Sequence, residues 1–180
     1  MALKATIYKA ELQIADMDRH YYAEHNLTIA RHPSENDERM MARVLAYALK
    51  AEEGIAFTKG LSDVDEPDIW IKDLTGAIKL WVDLGQPDEA RIRKACGRAD
   101  QVLVLCYSSS SDIWWRQIAD KLTRLSNLSV LQLPVETCRQ LAGLAQRGMR
   151  LQCMVQDGEI WLNSETESVP VPLVTLKAPA

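Results

Sequence analysis

The first part of the chain alternates apolar and polar side chains in two runs, the pattern of half-buried β-strands. The first run places apolar residues at every second position from 8 to 14, and the second run carries Leu27 and Ile29 in the same way. Between the runs, Asp16-Met17-Asp18 has the composition of a turn. We therefore predict an N-terminal β hairpin over residues 1–31.

Residues 32–148 mix helical and extended patterns. Pro33 ends the preceding strand, and Ser34 is a strong N-cap for a helix that runs to about Ala51, with Glu35 in the first turn, where an acidic residue complements the helix macrodipole. The following patterns predict, in order, strands 55–58, 68–72 and 78–84, a helix 87–98, a strand 102–106, a helix 112–125, a strand 128–133 and a helix 135–147 that Gly148 stops.

The last part, residues 149–180, carries a second antiparallel pattern. Predicted strands 151–155 and 160–162 flank Asp157-Gly158, a dipeptide favoured in type I′ hairpin turns. Segment 169–176 contains two prolines, which cannot donate to a central ladder, so we expect an edge strand there. The prediction is one domain with an α/β core and additional antiparallel strands at both termini.

Composition narrows the class of protein. The 180 residues are 47% hydrophobic and 26% charged, and a chain of this length can bury a core without disulfides or structural metal. The sequence has neither a run of eighteen apolar residues nor a signal-peptide pattern, so we expect a cytoplasmic protein with no membrane segment. The four cysteines are widely spaced, which favours reduced core thiols over a zinc site. The net charge of −4 means that any contact with DNA or RNA needs a local basic patch.

The predicted hairpin of residues 68–84 carries the most informative polar residues. Its two strands have the same residue types in mirrored order: Asp68, Trp70 and Lys72, then Lys79, Trp81 and Asp83. If the two tryptophans pair, the two aspartates lie opposite each other, and so do the two lysines. Facing carboxylates repel each other unless a cation compensates them. Mg²⁺ or Mn²⁺ would do so, and a metal-bound water can attack a phosphodiester.

Neighbouring helices offer further groups for such a site. Glu38 lies at the edge of the apolar stripe of the first core helix and can provide a third carboxylate, a role for which Asp37 competes. On the helix after the hairpin, Arg91 and Arg93 flank the core-facing side, while Lys94 points more nearly away. A cation from this helix beside the metal can stabilise negative charge on a phosphate. A structural interpretation stands beside this one, in which a lysine of the same strand or Arg91 simply pairs with Asp83.

Several collinear segments together resemble the YaeQ family of bacterial proteins over essentially the whole chain. They are Lys4-Ala5-Thr6-Ile7-Tyr8-Lys9-Ala10, Ala30-Arg31-His32-Pro33-Ser34-Glu35, Glu38-Arg39-Met40-Met41, Asp65-Glu66-Pro67, Leu80-Trp81, Pro87-Asp88-Glu89, Lys94-Ala95, Asn127-Leu128-Ser129-Val130 and Gln156-Asp157-Gly158. The resemblance implies the PD-(D/E)XK, or restriction-endonuclease-like, superfamily. Its core order of helix, three strands, helix, strand agrees with the order predicted from residue 34 to residue 107.

The resemblance also assigns roles to individual residues. Pro67-Asp68 resembles the "PD" element, Asp83 the acidic position of "(D/E)XK", and Glu38 the extra acidic residue that many members place on the first helix. The third motif position is Gly85, which cannot supply the positive charge of the motif lysine.

A cation from the following helix could replace that lysine, as in some members of the superfamily. Arg91 and Lys94 are the candidates, with Gln86 a weaker one. The first hypothesis is therefore a Mg²⁺-dependent nuclease in which Glu38, Asp68 and Asp83 bind the metal. The alternative is a catalytically inactive nuclease fold that binds nucleic acid or transcription and repair machinery, and a third is a purely structural adaptor.

Overall fold

A computed structural model describes residues 4–180, which form a mixed α/β fold with two sheets and four α-helices. The chain divides into two units. The first contains the residues up to Glu52 together with Glu136–Pro172, and the second contains Glu53–Val135 together with Leu173–Ala180. Each helix in the described part of the chain is too short or too polar to cross a membrane.

Eleven strands and four α-helices follow one another in residues 4–180. The strands are β1 (Thr6–Asp16), β2 (Tyr21–Arg31), β3 (Ile55–Phe57), β4 (Ile69–Lys72), β5 (Ile78–Leu84), β6 (Ala99–Cys106), β7 (Leu128–Gln132), β8 (Gly148–Gln156), β9 (Glu159–Asn163), β10 (Ser168–Pro170) and β11 (Val174–Lys177). The helices are α1 (Asp37–Lys50), α2 (Glu89–Arg98), α3 (Ser111–Leu122) and α4 (Val135–Ala142).

The first unit is built on a five-stranded sheet in the order β10-β9-β8-β1-β2. The predicted hairpin is β1 with β2, and its alternating pattern puts Leu12 and Ile29 on the fully buried face. The β8–β9 turn has positive φ at both Asp157 (52°) and Gly158 (76°), as a type I′ turn requires, so that predicted hairpin is confirmed too.

The second unit is built on a six-stranded sheet in the order β11-β7-β6-β5-β4-β3, in which β5, β6 and β7 run parallel. Helices α2 and α3 supply Ile92, Trp114 and Leu122 to one core cluster with Trp81 of β5. Trp115 is only half-buried beside that cluster, which is the division expected for two successive helical tryptophans.

Three predicted boundaries are wrong. Helix α1 begins later than predicted, because its N-cap is Asn36, whose side chain accepts the N–H of Arg39 at 2.9 Å, whereas Ser34 contacts His32. Helix α4 ends at Ala142, and Gly148 begins a strand instead of stopping the helix. The predicted edge strand 169–176 is two short edge strands, β10 and β11, in different sheets.

Glu35 does not lie in the first helical turn as predicted but precedes α1, where it is 3% exposed. Its two carboxylate oxygens accept hydrogen bonds from Arg39 and Arg43, both at 2.7 Å. The backbone carbonyl of Glu35 accepts a further bond from Arg31 at 2.8 Å. This buried ion network, and not the helix macrodipole, accounts for an acidic residue at this position.

We expect Glu35→Ala to lower the free energy of unfolding by about 3 kcal/mol, because it leaves the buried Arg43 without its carboxylate. Glu136→Ala is the matched control, since Glu136 pairs with Arg139 on the surface at 3.5 Å, and we expect it to change stability by less than about 0.5 kcal/mol. Urea unfolding of both variants measures the difference. Equal effects would contradict the assignment of Glu35 as a structural anchor.

Candidate functional site

The predicted site lies at one end of the β4–β5 hairpin. Trp70 pairs with Trp81, as predicted from the mirrored sequence pattern. An irregularity after Ile71 places Lys72 opposite Ile78, so the predicted pairing of Lys72 with a lysine is wrong. The ammonium of Lys72 instead lies 3.8 Å from the centre of the Trp70 ring. On the other side of the tryptophans the register is regular, with Ile69 opposite Val82, and this register sets the positions of Asp68 and Asp83.

Asp68 comes immediately before β4 and is 5% exposed. Its N–H donates to the carbonyl of Val82 at 2.9 Å, which continues the ladder past the strand end and places Asp68 beside Asp83. Its carbonyl accepts from Thr58 at 3.2 Å, while its carboxylate Oδ2 accepts the N–H of Leu84 at 2.8 Å. The carboxylate thus stands in for a main-chain acceptor between two strands.

Asp83 is 3% exposed on β5, and Arg91 of α2 holds both of its carboxylate oxygens. Nε of Arg91 donates to Oδ2 at 2.8 Å and Nη2 donates to Oδ1 at 3.1 Å, a bidentate pair. The guanidinium also donates to the carbonyls of Val64 at 2.5 Å and Glu66 at 3.0 Å. Arg91 therefore links β5, α2 and the acidic loop of residues 63–66.

The electrostatics of Asp83 follow from this placement. Burial raises the pKa of Asp83, the hydrogen bonds and charge of Arg91 oppose that rise, and the negative charge of Asp68 adds to it. The indole N–H of Trp81 also lowers this pKa. The indole nitrogen is buried, and it makes no hydrogen bond of normal geometry with the described residues. The bond to Asp83 in turn raises the pKa of Arg91. Arginine, then, is the cation that compensates the two aspartates.

The second predicted cation, Lys94, faces the acidic loop, where its ammonium lies 3.7 Å from the carboxylate of Asp65 in a largely exposed pair. Arg98 donates to the carbonyl of Asp65 at 3.2 Å, and its guanidinium lies 5.1 Å from the centre of the Trp81 ring. Arg91, Lys94 and Arg98 of α2 thus contact the loop that leads to Asp68.

Glu38, the predicted third carboxylate, lies half-buried in α1 of the first unit, whereas Asp68 and Asp83 belong to the second. Its negative charge adds to burial in raising the pKa of Cys138 to about 12. Within residues 4–180, no three His, Cys, Asp or Glu side chains form a group that could hold a metal ion. With the oxygens of Asp83 bound to Arg91, the arrangement in the second unit does not fit a bound Mg²⁺.

The family model of the YaeQ protein matches residues 1–173. "Uncharacterized protein YaeQ" of Escherichia coli K12 is 45% identical, and the match covers both chains completely. The chain belongs to the YaeQ family. Among solved structures, the YaeQ protein of Xanthomonas axonopodis pv. citri has a TM-score of 0.94 at 48% identity, covering 97% of this chain and 99% of that one. The Pseudomonas syringae YaeQ protein has a TM-score of 0.93 at 35% identity, covering 97% of each chain.

In this YaeQ family chain, the backbone conformation explains why residue 85, the third position of the resembled motif, is a glycine. Gly85 has φ +98°, a region that residues with a side chain rarely adopt, and its N–H donates to the carbonyl of Leu105 at 2.9 Å. The next residue, Gln86, accepts hydrogen bonds from the hydroxyls of Ser108 and Ser110, the second at 2.9 Å. Gln86 therefore joins the loops that follow β5 and β6.

The contacts that hold Arg91 in place have no signature in the sequence. Two of its acceptors are the main-chain carbonyls of Val64 and Glu66, and carbonyls are the same for every residue type. The position of Arg91 on the flank of the helix does predict a place beside Asp83, and the structure brings these two residues together.

We expect Arg91→Gln to lower the free energy of unfolding by about 2–3 kcal/mol at pH 7, because it leaves the buried Asp83 carboxylate without its cation. Lys94→Gln is the control, and its exposed pair predicts a change of less than about 0.5 kcal/mol. Urea unfolding measures both changes.

The deficit of Arg91→Gln depends on pH. Because the folded-state pKa of Asp83 is raised and rises further without Arg91, the variant loses stability as pH increases from about 4, the value for an unfolded aspartate, towards neutrality. The deficit should therefore be smallest in acid and largest at pH 7. A deficit independent of pH would show that packing of the arginine, and not its charge, is what matters.

Gly85→Lys restores the motif lysine in sequence and should destabilise the fold by about 1–2 kcal/mol, since the side chain must adopt positive φ. Gly97→Lys makes the same replacement inside α2, at a position with no heavy atom within 4 Å of the added Cβ, and should stabilise by about 0.5 kcal/mol. Thermal unfolding compares the two. Equal stability of Gly85→Lys and the parent would refute the conformational explanation.

Proposed function

We propose that this chain is a nuclease-like protein that binds nucleic acid without cutting it. The observation that carries the proposal is the bidentate pair of Asp83 with Arg91, which occupies the carboxylate that a metal would need. Asp68 adds support, since its Oδ2 already accepts the N–H of Leu84. Cleavage by the resembled mechanism would require these bonds to break first.

The order of elements along the chain supports the nuclease-like part of the proposal. Helix α1 is followed by strands β3, β4 and β5, then by α2 and β6, which is the order that the resemblance implies. Asp68 immediately precedes β4, and Asp83 lies on β5.

The helical layer of the second unit supports nucleic-acid binding. Residues 88–124 hold seven basic and five acidic side chains, a net charge of +2 in a chain whose total is −4. Asp88, Glu89 and Asp112 lie at the N-terminal ends of α2 and α3. The exposed basic side chains are Arg93, Lys94, Arg98, Arg116, Lys121 and Arg124. Arg93 and Lys121 pair with Glu89, and Lys94 pairs with Asp65. Exposed side chains such as Arg116 and Arg124 suit phosphate groups, which bind basic side chains without base recognition.

A metal-dependent nuclease acting on DNA or RNA is the second candidate function. It is favoured by the electrostatic coupling of Asp68 to Asp83, since two neighbouring carboxylates are the usual ligands of Mg²⁺ or Mn²⁺. This function requires Arg91 to leave Asp83 and to meet the scissile phosphate, with Lys94 as the other candidate cation.

The experiment measures binding and cleavage on the same samples. Fluorescence anisotropy with single-stranded, duplex and branched DNA and RNA reports affinity at several salt concentrations, and gels report cleavage with Mg²⁺, Mn²⁺ or EDTA. We expect binding that weakens with salt, no metal-dependent cleavage, and an affinity about tenfold lower in Arg116→Glu/Arg124→Glu. Arg139→Glu/Arg150→Glu, which reverses two exposed arginines of the first unit, is the matched control and should bind nearly as the parent does.

Two outcomes would contradict the proposal. Metal-dependent cleavage that disappears in Asp83→Asn would establish the second candidate function instead. Failure to bind any of the nucleic acids would exclude nucleic acid as the partner and favour a protein of the transcription or repair machinery.

A further inference from the structure

The sheet of the first unit ends in one unusually long edge strand. In residues 4–180 the two sheets have four edge strands, and β3, β10 and β11 contain only three or four residues each. The fourth, β2, contains eleven residues. Proteins commonly protect sheet edges by keeping them short or by placing proline or lysine in them. Between Tyr22 and Ala30, β2 has neither residue.

The hydrogen bonds of β1 determine which groups β2 presents at its outer edge. The N–H of Lys9 donates towards β8, to the carbonyl of Arg147 at 2.8 Å, so Lys9 and its partner Thr28 form a non-hydrogen-bonded pair. The N–H and C=O of Thr28 therefore point away from β1, as do those of every second residue. Arg43 confirms this direction, since it donates to the carbonyl of Ala30 at 3.2 Å.

Four residues of β2 before Ala30 direct their main-chain N–H and C=O groups away from β1. They are Tyr22, Glu24, Asn26 and Thr28. No main-chain hydrogen bond of the described residues joins them to another segment across this edge. Their side chains lie on the exposed face of the strand, and Tyr22 is 62% exposed. The edge is thus a row of alternating donors and acceptors from Tyr22 to Thr28, and it ends at Ala30, whose carbonyl accepts a hydrogen bond from Arg43.

We propose that β2 pairs with β2 of a second copy of this chain, antiparallel and about a two-fold axis. Pairing Tyr22 with Thr28 and Glu24 with Asn26 of the other copy uses all four outward-facing residues of each strand. It leaves the bond from Arg43 to Ala30 intact. The two first-unit sheets would then form one continuous sheet across the axis.

The second copy is favoured because the edge is complementary to itself. The register gives about eight main-chain hydrogen bonds, within the range of stable interfaces. This register places the carboxylate of Glu24 opposite the side-chain amide of Asn26 in the other copy. It also keeps the two Glu24 side chains from facing each other, which the repulsion of like charges would disfavour. His25 would face His25 across the axis, and each ring is hydrogen-bonded within its own chain to Tyr21 and Tyr47, both at 2.8 Å.

The test compares two substitutions at one position by sedimentation velocity over a range of concentrations. Asn26→Pro removes an outward N–H without removing a bond to β1, so it should leave the hairpin folded and abolish the dimer. Asn26→Ala loses the amide opposite Glu24 but keeps the main-chain donor, so it should still dimerise. A parent that is monomeric up to about 100 μM, or an Asn26→Pro dimer as tight as that of the parent, would overturn the proposal. Far-UV circular dichroism verifies that both variants fold.

Disulfide trapping tests the register independently. Under oxidation, Glu24→Cys/Asn26→Cys should form a chain of twice the mass on a non-reducing gel, because the two positions face each other across the axis. Glu24→Cys alone should stay monomeric on the same gel. Equal cross-linking of the single and double variants would contradict the register.

Discussion

The guanidinium of Arg91 is the contact on which the candidate site depends. It neutralises a carboxylate that β5 places in the core, and it bonds to two carbonyls of the loop that leads to Asp68. A buried carboxylate without a cation would cost several kcal/mol, so the strand can carry Asp83 only because α2 follows with an arginine at this position. Loop, strand and helix are therefore stabilised by one side chain.

The same solution occurs in the first unit, where Arg39 and Arg43 hold the buried Glu35. In both units a buried acid is compensated by arginine, whose planar fork binds both oxygens or joins several acceptors. At Asp83 the ion pair occupies the carboxylate to which the sequence resemblance assigns metal binding. Gly85, whose positive φ disfavours a lysine, leaves the third position of the resembled motif without a cation. Both features agree with our proposal that the protein does not cleave nucleic acid.

How far the sequence predicted the structure depended on the range of the interactions. The alternation in β1 and β2 and the mirrored Trp70 and Trp81 are local patterns, and they gave the hairpins and the register at the tryptophans. The irregularity after Ile71 and the use of Asn36 as N-cap depend on backbone geometry that those patterns do not encode. The pairing of Asp83 with Arg91 was one of two interpretations, because residue types alone do not distinguish an ion pair from a metal site.

The most direct test of the account is an NMR titration of the protein with Mn²⁺, following the side-chain carboxyl carbon of Asp83. If Arg91 holds both oxygens, the ion should not reach them, and the Asp83 signal should broaden no earlier in the titration than the signals of exposed carboxylates such as Asp73, in the turn at the other end of the β4–β5 hairpin. Selective broadening of Asp83 ahead of the exposed carboxylates would show that the ion pair opens to bind metal, and it would contradict the account.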